Sequence, residues 1–522
     1  MSEYIKPVWA NVAAPCGGVN GCPAQTNIAG ALHALALGDV SQAWRIMMRT
    51  HPFRSVLGRV CYGFCEAPCN RGRFDSPIAI QALEAAIGDL GHDPAWTPPR
   101  AAANGRRVMV AGAGPCGLTA AWYLGLAGFE VEVFEAEEKP GGMMRYGIPS
   151  YRLEKEALDR EIKYLENSGV RINLKFPLNN SDIMGWLNQG KYHAALVATG
   201  AGTSRAAGFA GEEKAINGLE FLKKVNTGAI SGPFYAGKSL VVIGGGNVAM
   251  DASRSLIRLG AKSVTVIYRR SEKEMPAHSH EVAQAREEGV AFEFMGAPEQ
   301  YDGRKLTIRR MKPGKPDASG RMAPEPTSTL VVFPADGLIT AVGQVWTQWD
   351  FPPDHERIYF AGDARPDSRG TVIHAIASGK AAADLISRDL AGKALFAPVG
   401  EEASWEKMNV RRYFTPSMRL RILRQRPEAR IKSFDPFERI ADHEEAQLEA
   451  GRCFRCGTCV GGLDTECDYC FLACGQRGMV AKKLVDWNPE GPFYDSGEGC
   501  SSCGKCWEDC PRYVVRPARV TP

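Results

Sequence analysis

No apolar run in the chain approaches the ~20 residues that a membrane-spanning helix needs, so no membrane span is expected. The opening segment, MSEYIKPVWANV, has neither the basic n-region nor the apolar core of a secretory signal. A formal net charge of +4 is too small to point to nucleic acid or to an anionic membrane. Internal repeats are missing, apart from two strand–turn–helix units and two cysteine motifs. Beyond Gly200 no stretch reads as a separate substrate pocket, which points to a partner that holds the substrate chemistry. Cysteine, by contrast, is plentiful, at 16 residues. A disulfide framework would require an oxidising compartment and usually a small scaffold. Here the cysteines sit at metal-ligand spacings in a 522-residue chain without an export signal, so a cytoplasmic protein is expected. That length exceeds one hydrophobic core and predicts two to four domains.

Ten of the cysteines fall between Cys453 and Cys510. Cys500, Cys503, Cys506 and Cys510, followed by Pro511, read C-x2-C-x2-C-x3-C-P, the spacing that wraps thiolates round a [4Fe–4S] cube. Cys467, Cys470 and Cys474 form the tail of the same motif, with Cys459 as the expected eighth ligand. Paired motifs of this kind hold two clusters, each taking its fourth ligand from the other half. Cys453 and Cys456 are surplus to that count; they serve another purpose or replace Cys459. Zinc favours separated C-x2-C pairs over a run of three closed by Cys-Pro.

Two dinucleotide-binding units lie upstream. In VMVAGAGPCGLTAAWYLGLAGFEVEVFEA, Gly112, Gly114 and Gly117 form G-x-G-x-x-G between an apolar strand and an Ala-rich helix. Such glycines allow the tight turn and the approach of backbone to a pyrophosphate at the helix N-terminus. Glu135 ends the following strand, where a carboxylate binds ribose hydroxyls. Cys116, inside the turn, reads as a small filler. In LVVIGGGNVAMDASRSLIRLGAKSVTVIYRR, Gly244 and Gly246 open the turn and Ala249 takes the third glycine's place. Its second strand ends in Arg269 and Arg270, which suit a 2′-phosphate and lean towards NADP(H). The alternative is that both are solvated or pair with Glu272 and Glu274. One such site for a flavin and one for a nicotinamide, in a chain with clusters, suits conversion of a two-electron hydride into single electrons.

The strings Cys22-Pro23, Gly58-Arg59-Val60-Cys61, Gly141 to Pro149 (GGMMRYGIP), Ala198-Thr199-Gly200, Gly244 to Asp251 (GGGNVAMD) and Ala361-Gly362-Asp363 are similar to those of a known family. From about residue 10 to 390 the chain resembles the small subunit of bacterial glutamate synthase. It also resembles the flavoprotein subunit of NADH-dependent ferredoxin:NADP reductase and part of dihydropyrimidine dehydrogenase.

The resemblance implies an α/β protein with two Rossmann-like domains of the glutathione reductase type, the NAD(P) domain inserted in the FAD domain. An N-terminal helical iron–sulfur domain and a C-terminal ferredoxin-like domain flank them. The expected boundaries are 1–100 for the helical domain, 101–230 with 340–395 for FAD, 231–339 for NAD(P), 396–450 for a helical linker, and 451–522 for the ferredoxin-like domain. Gly112, Gly114, Gly117, Glu135, Gly142, Arg145 and Thr199 would contact FAD, with Gly362, Asp363 and the Thr371-Val372 turn closing over it. Asp363 also has a physical rationale of its own, since a carboxylate there can accept hydrogen bonds from ribityl hydroxyls. Gly244, Gly246, Asn247, Val248, Arg269 and Arg270 would bind the nicotinamide dinucleotide.

Family members generally carry a C-x2-C pair upstream of the position of Cys16, and this chain has none. It keeps Cys16, Cys22, Cys61, Cys65 and Cys69. The resemblance implies one cluster held by Cys22, Cys61, Cys65 and Glu84, with Cys16 and Cys69 left over from a lost one. A four-cysteine site drawn from the five is the competing arrangement. About three [4Fe–4S] clusters are then expected in all.

The expected function is that of an electron-transfer flavoprotein subunit. It would pass electrons between NAD(P)(H), FAD and the clusters, to or from a ferredoxin or a partner such as a 2-oxoacid oxidoreductase. The alternatives are a glutamate synthase small subunit, a stand-alone NAD(P)H-dependent reductase of a small molecule at the flavin, and a zinc- and nucleotide-binding scaffold. No side chain is required as acid or base. His278 and His280 read as loop residues of the NAD(P) domain. The arginine-rich stretch Arg411 to Lys432 would dock an acidic partner or form a solvated helix face.

Overall fold

Short strands build two parallel sheets of the same design, and in each a leading apolar strand, Arg107–Ala111 or Ser239–Ile243, runs straight into a glycine. In the first, the strands run in the order Ile358–Phe360, Ala194–Val197, Arg107–Ala111, Glu130–Phe134, Arg171–Asn173. In the second they run Ala291–Phe294, Ser263–Tyr268, Ser239–Ile243, Gly337–Thr340, Ile216–Asn217. All neighbours in both sheets are parallel, with Val110 opposite Val133 and Val242 opposite Val266. The central strands Arg107–Ala111, Ala194–Val197 and Ser239–Ile243 are buried on both faces, which is why they read as nearly unbroken apolar runs.

These elements come from a computed structural model that describes residues 4–9, 12–317, 320–346, 349–351, 355–397, 400–410, 413–457, 480–481, 495–496, 505–508 and 510–520. Its contacts divide the chain into two units. One comprises Met1–Trp96, Ala394–Ile422 and Ile440–Pro522; the other comprises Thr97–Lys393 and Leu423–Arg439. Among the described residues no helix is long and apolar enough to cross a membrane.

Three findings depart from the sequence expectation. The second sheet recruits Ile216–Asn217, ahead of residue 231. The Pro- and Gly-rich segment 312–326, which by composition would separate β stretches near 290–311 and 328–343, is instead the far end of one long hairpin, Lys305–Pro316 with Met322–Pro334. Its register shifts between Arg309 and Met311 and again between Pro313 and Pro316, as expected where proline removes ladder donors. Between 396 and 450 the described helices are only a single 3-10 turn at Trp405–Lys407, Pro427–Arg430 and His443–Gly451. Pro416, Pro427 and Pro436 break the helical pattern that the arginines suggest.

In the unit that holds the N-terminal residues, helices Ile28–Ala36 and Val40–Met48 part at Gly38, whose φ is +86°. Asn27 and Asp39 cap them, their side chains accepting from Gly30 N at 3.0 Å and Gln42 N at 2.8 Å. Helices Arg54–Val60 and Ile80–Leu90 meet through glycine. A Cβ on Gly58 would stand 2.2 Å from Ala85 N, and one on Gly88 2.5 Å from Ser55 N. This approach brings the end of one helix, where Cys61 follows, beside Glu84 on the other. Gly58→Ala is therefore expected to cost roughly 1–3 kcal/mol by overpacking. Gly185→Ala, on an open helix face with nothing within 4 Å, should stabilise by up to about 1 kcal/mol. Melting temperatures of the two variants, shifting in opposite directions, check this.

Candidate functional site

The strand Arg107–Ala111 runs through Gly112 into helix Pro115–Leu126. Gly112 has φ +104°, and a Cβ there would lie 2.5 Å from Ala198 O; a Cβ on Gly117 would lie 2.0 Å from Gly112 O. Gly114, the helix N-cap, differs: its nearest neighbour would be Gly142 Cα at 3.9 Å. The helix N-terminus therefore opens on space that only a residue without a side chain leaves free, as a pyrophosphate requires. Glu135 is buried at the next strand end, its oxygens accepting from Ala113 N at 2.8 Å and Glu137 N at 2.9 Å. Each carboxylate oxygen keeps capacity for a further donor.

Several other expected residues gather at this turn. Thr199 follows strand Ala194–Val197, with its Cα beside Gly112. Gly362 N donates to Ser378 Oγ at 2.8 Å. Asp363 accepts from the Ser368 side chain and Gly370 N, and burial raises its pKa. Cys116 is buried against Gly362 and Gly379, where Cβ atoms would come within 2.8 Å of its Cβ and 2.2 Å of its carbonyl oxygen. It fills space between helices, and burial pushes its thiol pKa up. Thr371 caps helix Val372–Ala391, its hydroxyl 2.7 Å from His374 Nδ1. Arg145 is buried, donating to Pro140 O at 2.5 Å and pairing with Asp159. Sequence reasoning missed Ser378 and Lys155. The Lys155 ammonium donates to Met144 O and Ile148 O, and burial together with Arg145 lowers its pKa to about 7.

The second turn repeats the first. Gly244 has φ +137°, with a Cβ placed 2.2 Å from Ala341 O, while a Cβ on Gly246 would meet nothing within 4 Å. Asn247 Oδ1 accepts from His278 N at 3.0 Å, tying the helix start to the next loop; Val248 is partly buried beside it. His278 and His280 face each other, Nδ1 to Nδ1, at 2.7 Å. Arg269 is exposed. Arg270 is buried and pairs with Asp317 at 2.6 Å, yet its Nε and Nη1 have no hydrogen-bond partner among the described residues. Glu272 pairs with Arg286 instead, and Glu274 accepts from Ser271 and Met322 N. A buried guanidinium with donors to spare, at the end of this strand, fits a phosphate.

Asp251, from the same glycine-rich string, accepts twice from Arg152 Nη1 at 2.9 Å. Arg152 and Arg254 share Glu281, at 2.9 and 2.6 Å, and Arg254, Arg258 and Arg430 converge on Glu288. The basic stretch is accordingly spent in part on the protein itself. Arg430 is buried, Arg424 pairs with Glu438 and Arg419 with Glu66, while Arg411 and Arg412 lie outside the described residues.

The helical unit gathers its cysteines into two neighbouring sets, with Cys16 of one close enough to act on Cys65 of the other. Cys22 lies beside Cys61 and Cys65, and Glu84 acts on the latter two; burial and Glu84 push the Cys61 thiol up to about 12. Glu84 is buried, its own pKa raised by burial, with Arg54 Nη1 on Oε1 at 2.7 Å. Cys16 and Cys69 belong to the other set, with Cys453 and Cys456, and all four line one cavity. The two are thus not left isolated, and the surplus pair does not stand apart. Burial raises the pKa of each of these four thiols. Cys506 and Cys510 are buried; Cys459, Cys467, Cys470, Cys474, Cys500 and Cys503 lie outside the described residues.

Two parallel nucleotide-binding sheets with open helix N-termini, joined to a cysteine-bearing helical region, define an NAD(P)H-dependent FAD oxidoreductase with an iron–sulfur domain. Comparisons agree. Residues 106–350 match the pyridine nucleotide-disulphide oxidoreductase family, and residues 12–95 match dihydropyrimidine dehydrogenase domain II, 4Fe-4S cluster. The chain is 34% identical over 507 residues to the NADP(+)-dependent formate dehydrogenase subunit beta of Moorella thermoacetica, covering 85% of this chain and 71% of that one. It is 37% identical to the NADPH-Fe(3+) oxidoreductase subunit beta of Geobacter sulfurreducens, over 63% of this chain and 51% of that one. The small chain of NADPH glutamate synthase from Azospirillum brasilense is 35% identical over 62% of this chain and 71% of that one. The chain belongs to the glutamate synthase small chain-like family of FAD/NAD(P) iron–sulfur oxidoreductases.

The open glycines carry a prediction. Gly114→Ala and Gly246→Ala add a Cβ that would meet no protein atom closer than 3.9 Å, so the apoprotein's stability should change by less than about 1 kcal/mol. Flavin content per chain should fall only in the first variant, and NAD(P)H affinity at unchanged flavin content only in the second. Absorbance spectra and nucleotide titrations read the two.

Proposed function

We propose that this chain is an NADP(H)-linked electron-transfer subunit that exchanges electrons with a partner oxidoreductase. The observation that carries the reading is that open helix N-termini at Gly114 and Gly246 occur in one chain with Cys22, Cys61 and Cys65 grouped near the buried Glu84. The chemistry that bound flavin and clusters supply is the conversion of a hydride into single electrons and their onward passage.

The chain's own residues bind and orient. Gly112, Gly114 and Gly117 admit the FAD pyrophosphate, Glu135 accepts from its ribose hydroxyls, and Asp363 accepts from the ribityl chain. Gly142, Arg145, Thr199, Gly362 and the Thr371-Val372 helix start complete that pocket. Gly244, Gly246, Asn247 and Val248 hold the second pyrophosphate, with Arg269 and Arg270 on the 2′-phosphate. Cys22, Cys61, Cys65 and Glu84 hold one [4Fe–4S] cluster, and the tail cysteines hold two more. Cys16, Cys22, Cys61, Cys65, Cys69, Cys116, Cys453 and Cys456 are free thiols, which suits a reducing compartment such as the cytoplasm. Curated relatives named as subunits support a partner that carries the substrate site. The chain spans about half of the Geobacter relative, and substrate and partner do not transfer from those names.

Removing Arg270 removes a charge-assisted hydrogen bond to the phosphate, worth about 1.5–3 kcal/mol. Arg270→Ala should therefore raise KM for NADPH by roughly 10- to 100-fold, with little change for NADH or in kcat with a dye acceptor. Equal losses with both nucleotides would reject the phosphate role. Anaerobic purification of the native protein should recover a second oxidoreductase chain that NADPH reduces only when this chain is present. A single species that turns over a small acceptor unaided would replace this reading with that of a stand-alone reductase.

A further inference from the structure

Cys16, Cys69, Cys453 and Cys456 line one small cavity of ≈ 20 Å³. All four belong to one unit, although two lie near each end of the sequence. Their meeting is fixed by many contacts. The strand Tyr4–Trp9 pairs antiparallel with Val515–Val520, Val12 N donates to Gly457 O at 2.9 Å, and Gly457 N donates to Arg512 O at 2.8 Å. Glu449, at the end of helix His443–Gly451, accepts from Ala79 N at 2.8 Å, and Arg452 pairs with Asp75 at 2.9 Å. Arg71 donates to Arg452 O and stacks on the ring of Phe454, 4.8 Å from its centroid.

The cavity is furnished for sulfur. Asn70 Nδ2 donates towards Cys456 Sγ at 3.5 Å, and Arg455 N towards Cys453 Sγ at 3.3 Å. That second contact is made by a backbone held at φ +56°, a conformation that costs a residue with a Cβ about 1 kcal/mol or more. Ile28, Leu32, Ile78 and Ile80 form apolar walls. The buried guanidinium groups of Arg455 and Arg512 lie near Cys453, and Arg512 Nη1 has no hydrogen-bond partner among the described residues. They supply positive charge beside thiols that metal binding would deprotonate.

The arrangement also narrows what the site takes. None of the four cysteines is in a disulfide. A single zinc ion needs its thiolates to converge to about 2.3 Å from one point, and no group of three or more ligating side chains among the described residues is so arranged. Four thiols spread round a cavity suit a cube of iron and sulfide instead. We propose that Cys16, Cys69, Cys453 and Cys456 hold a further [4Fe–4S] cluster whose ligands come from both ends of the chain. The C-x2-C that the sequence lacks ahead of Cys16 is thus provided by Cys453-Phe454-Arg455-Cys456. This assignment is independent of the nucleotide preference and of the partner, and it removes the surplus from the tail.

The test uses the full chain, matured or reconstituted anaerobically with iron and sulfide. Iron and acid-labile sulfide per chain are measured for the wild type, C16S/C69S, C453S/C456S and the quadruple variant, with melting temperature as a control for folding. Each double variant should lose about four iron and four sulfide, the quadruple variant should lose no more than either, and all three should lack the same EPR signal on dithionite reduction. Full iron in C453S/C456S, additive losses in the quadruple variant, or zinc in place of iron would overturn the assignment. A second measurement avoids variants. In the iron-loaded wild type all four cysteines should resist alkylation and become reactive together on chelation, as read by mass spectrometry. Alkylation of Cys453 and Cys456 while Cys16 and Cys69 stay protected would equally overturn it.

Discussion

Backbone approach too close for a Cβ is the constraint on which this molecule depends. In the nucleotide-binding unit, Gly112, Gly117 and Gly379 let helices Pro115–Leu126 and Val372–Ala391 and the neighbouring strand end pack almost main chain to main chain. Gly244 does the same in the second sheet. Only because those contacts fix the turns can Gly114 and Gly246 stay open, each at a helix start where backbone N–H groups are unsatisfied. The helical unit uses the same device for a different end. Gly58 and Gly88 draw two helices together, and Cys61, Cys65 and Glu84 take their places from that contact.

Charge burial is the second organising theme. Glu288 is buried with three arginines round it, and Asp251 and Glu281 are buried with Arg152 and Arg254. Removing one member of such a network typically costs 3–5 kcal/mol, because the partner is left charged and dry. Arg430 shows how this changes a sequence-level reading. In a run of arginines it looks like part of a docking face, yet its guanidinium is inside, on Glu287 and Glu288. Arg270 is the instructive exception, buried with one carboxylate and two nitrogens left over. Glu84 also balances its charge locally, against Arg54.

Much of this was legible in the residues. G-x-G-x-x-G between an apolar strand and a helix, with Glu135 at the next strand end, is a local pattern, and the local backbone satisfies it. The helical pattern from Ile28 to Thr50, interrupted at Gly38-Asp39, is equally local, a left-handed glycine followed by a capping aspartate. The long hairpin through Pro313 and Pro324 was not, because strand pairing across a ribbon with shifted register overrides what proline suggests in isolation. Nor was the partner of Arg270. Glu272 and Glu274 are nearer in sequence, but Arg286 and Ser271 engage them, and Asp317 approaches from the hairpin.

By itself the sequence determined the α/β class, the two nucleotide turns and the presence of iron–sulfur spacings, since each depends on residues within one turn or one strand pair. Which cysteines stand together was decided only in three dimensions. Cys16 and Cys69 read as remnants and Cys453 and Cys456 as a surplus, because spacing along a chain says nothing about ligands contributed from its opposite ends. Pairing of the terminal strands and the docking of helix His443–Gly451 on the N-terminal helices bring those ends together. A site closed by tertiary contacts has no local signature, and that is why it appears only once the chain is folded.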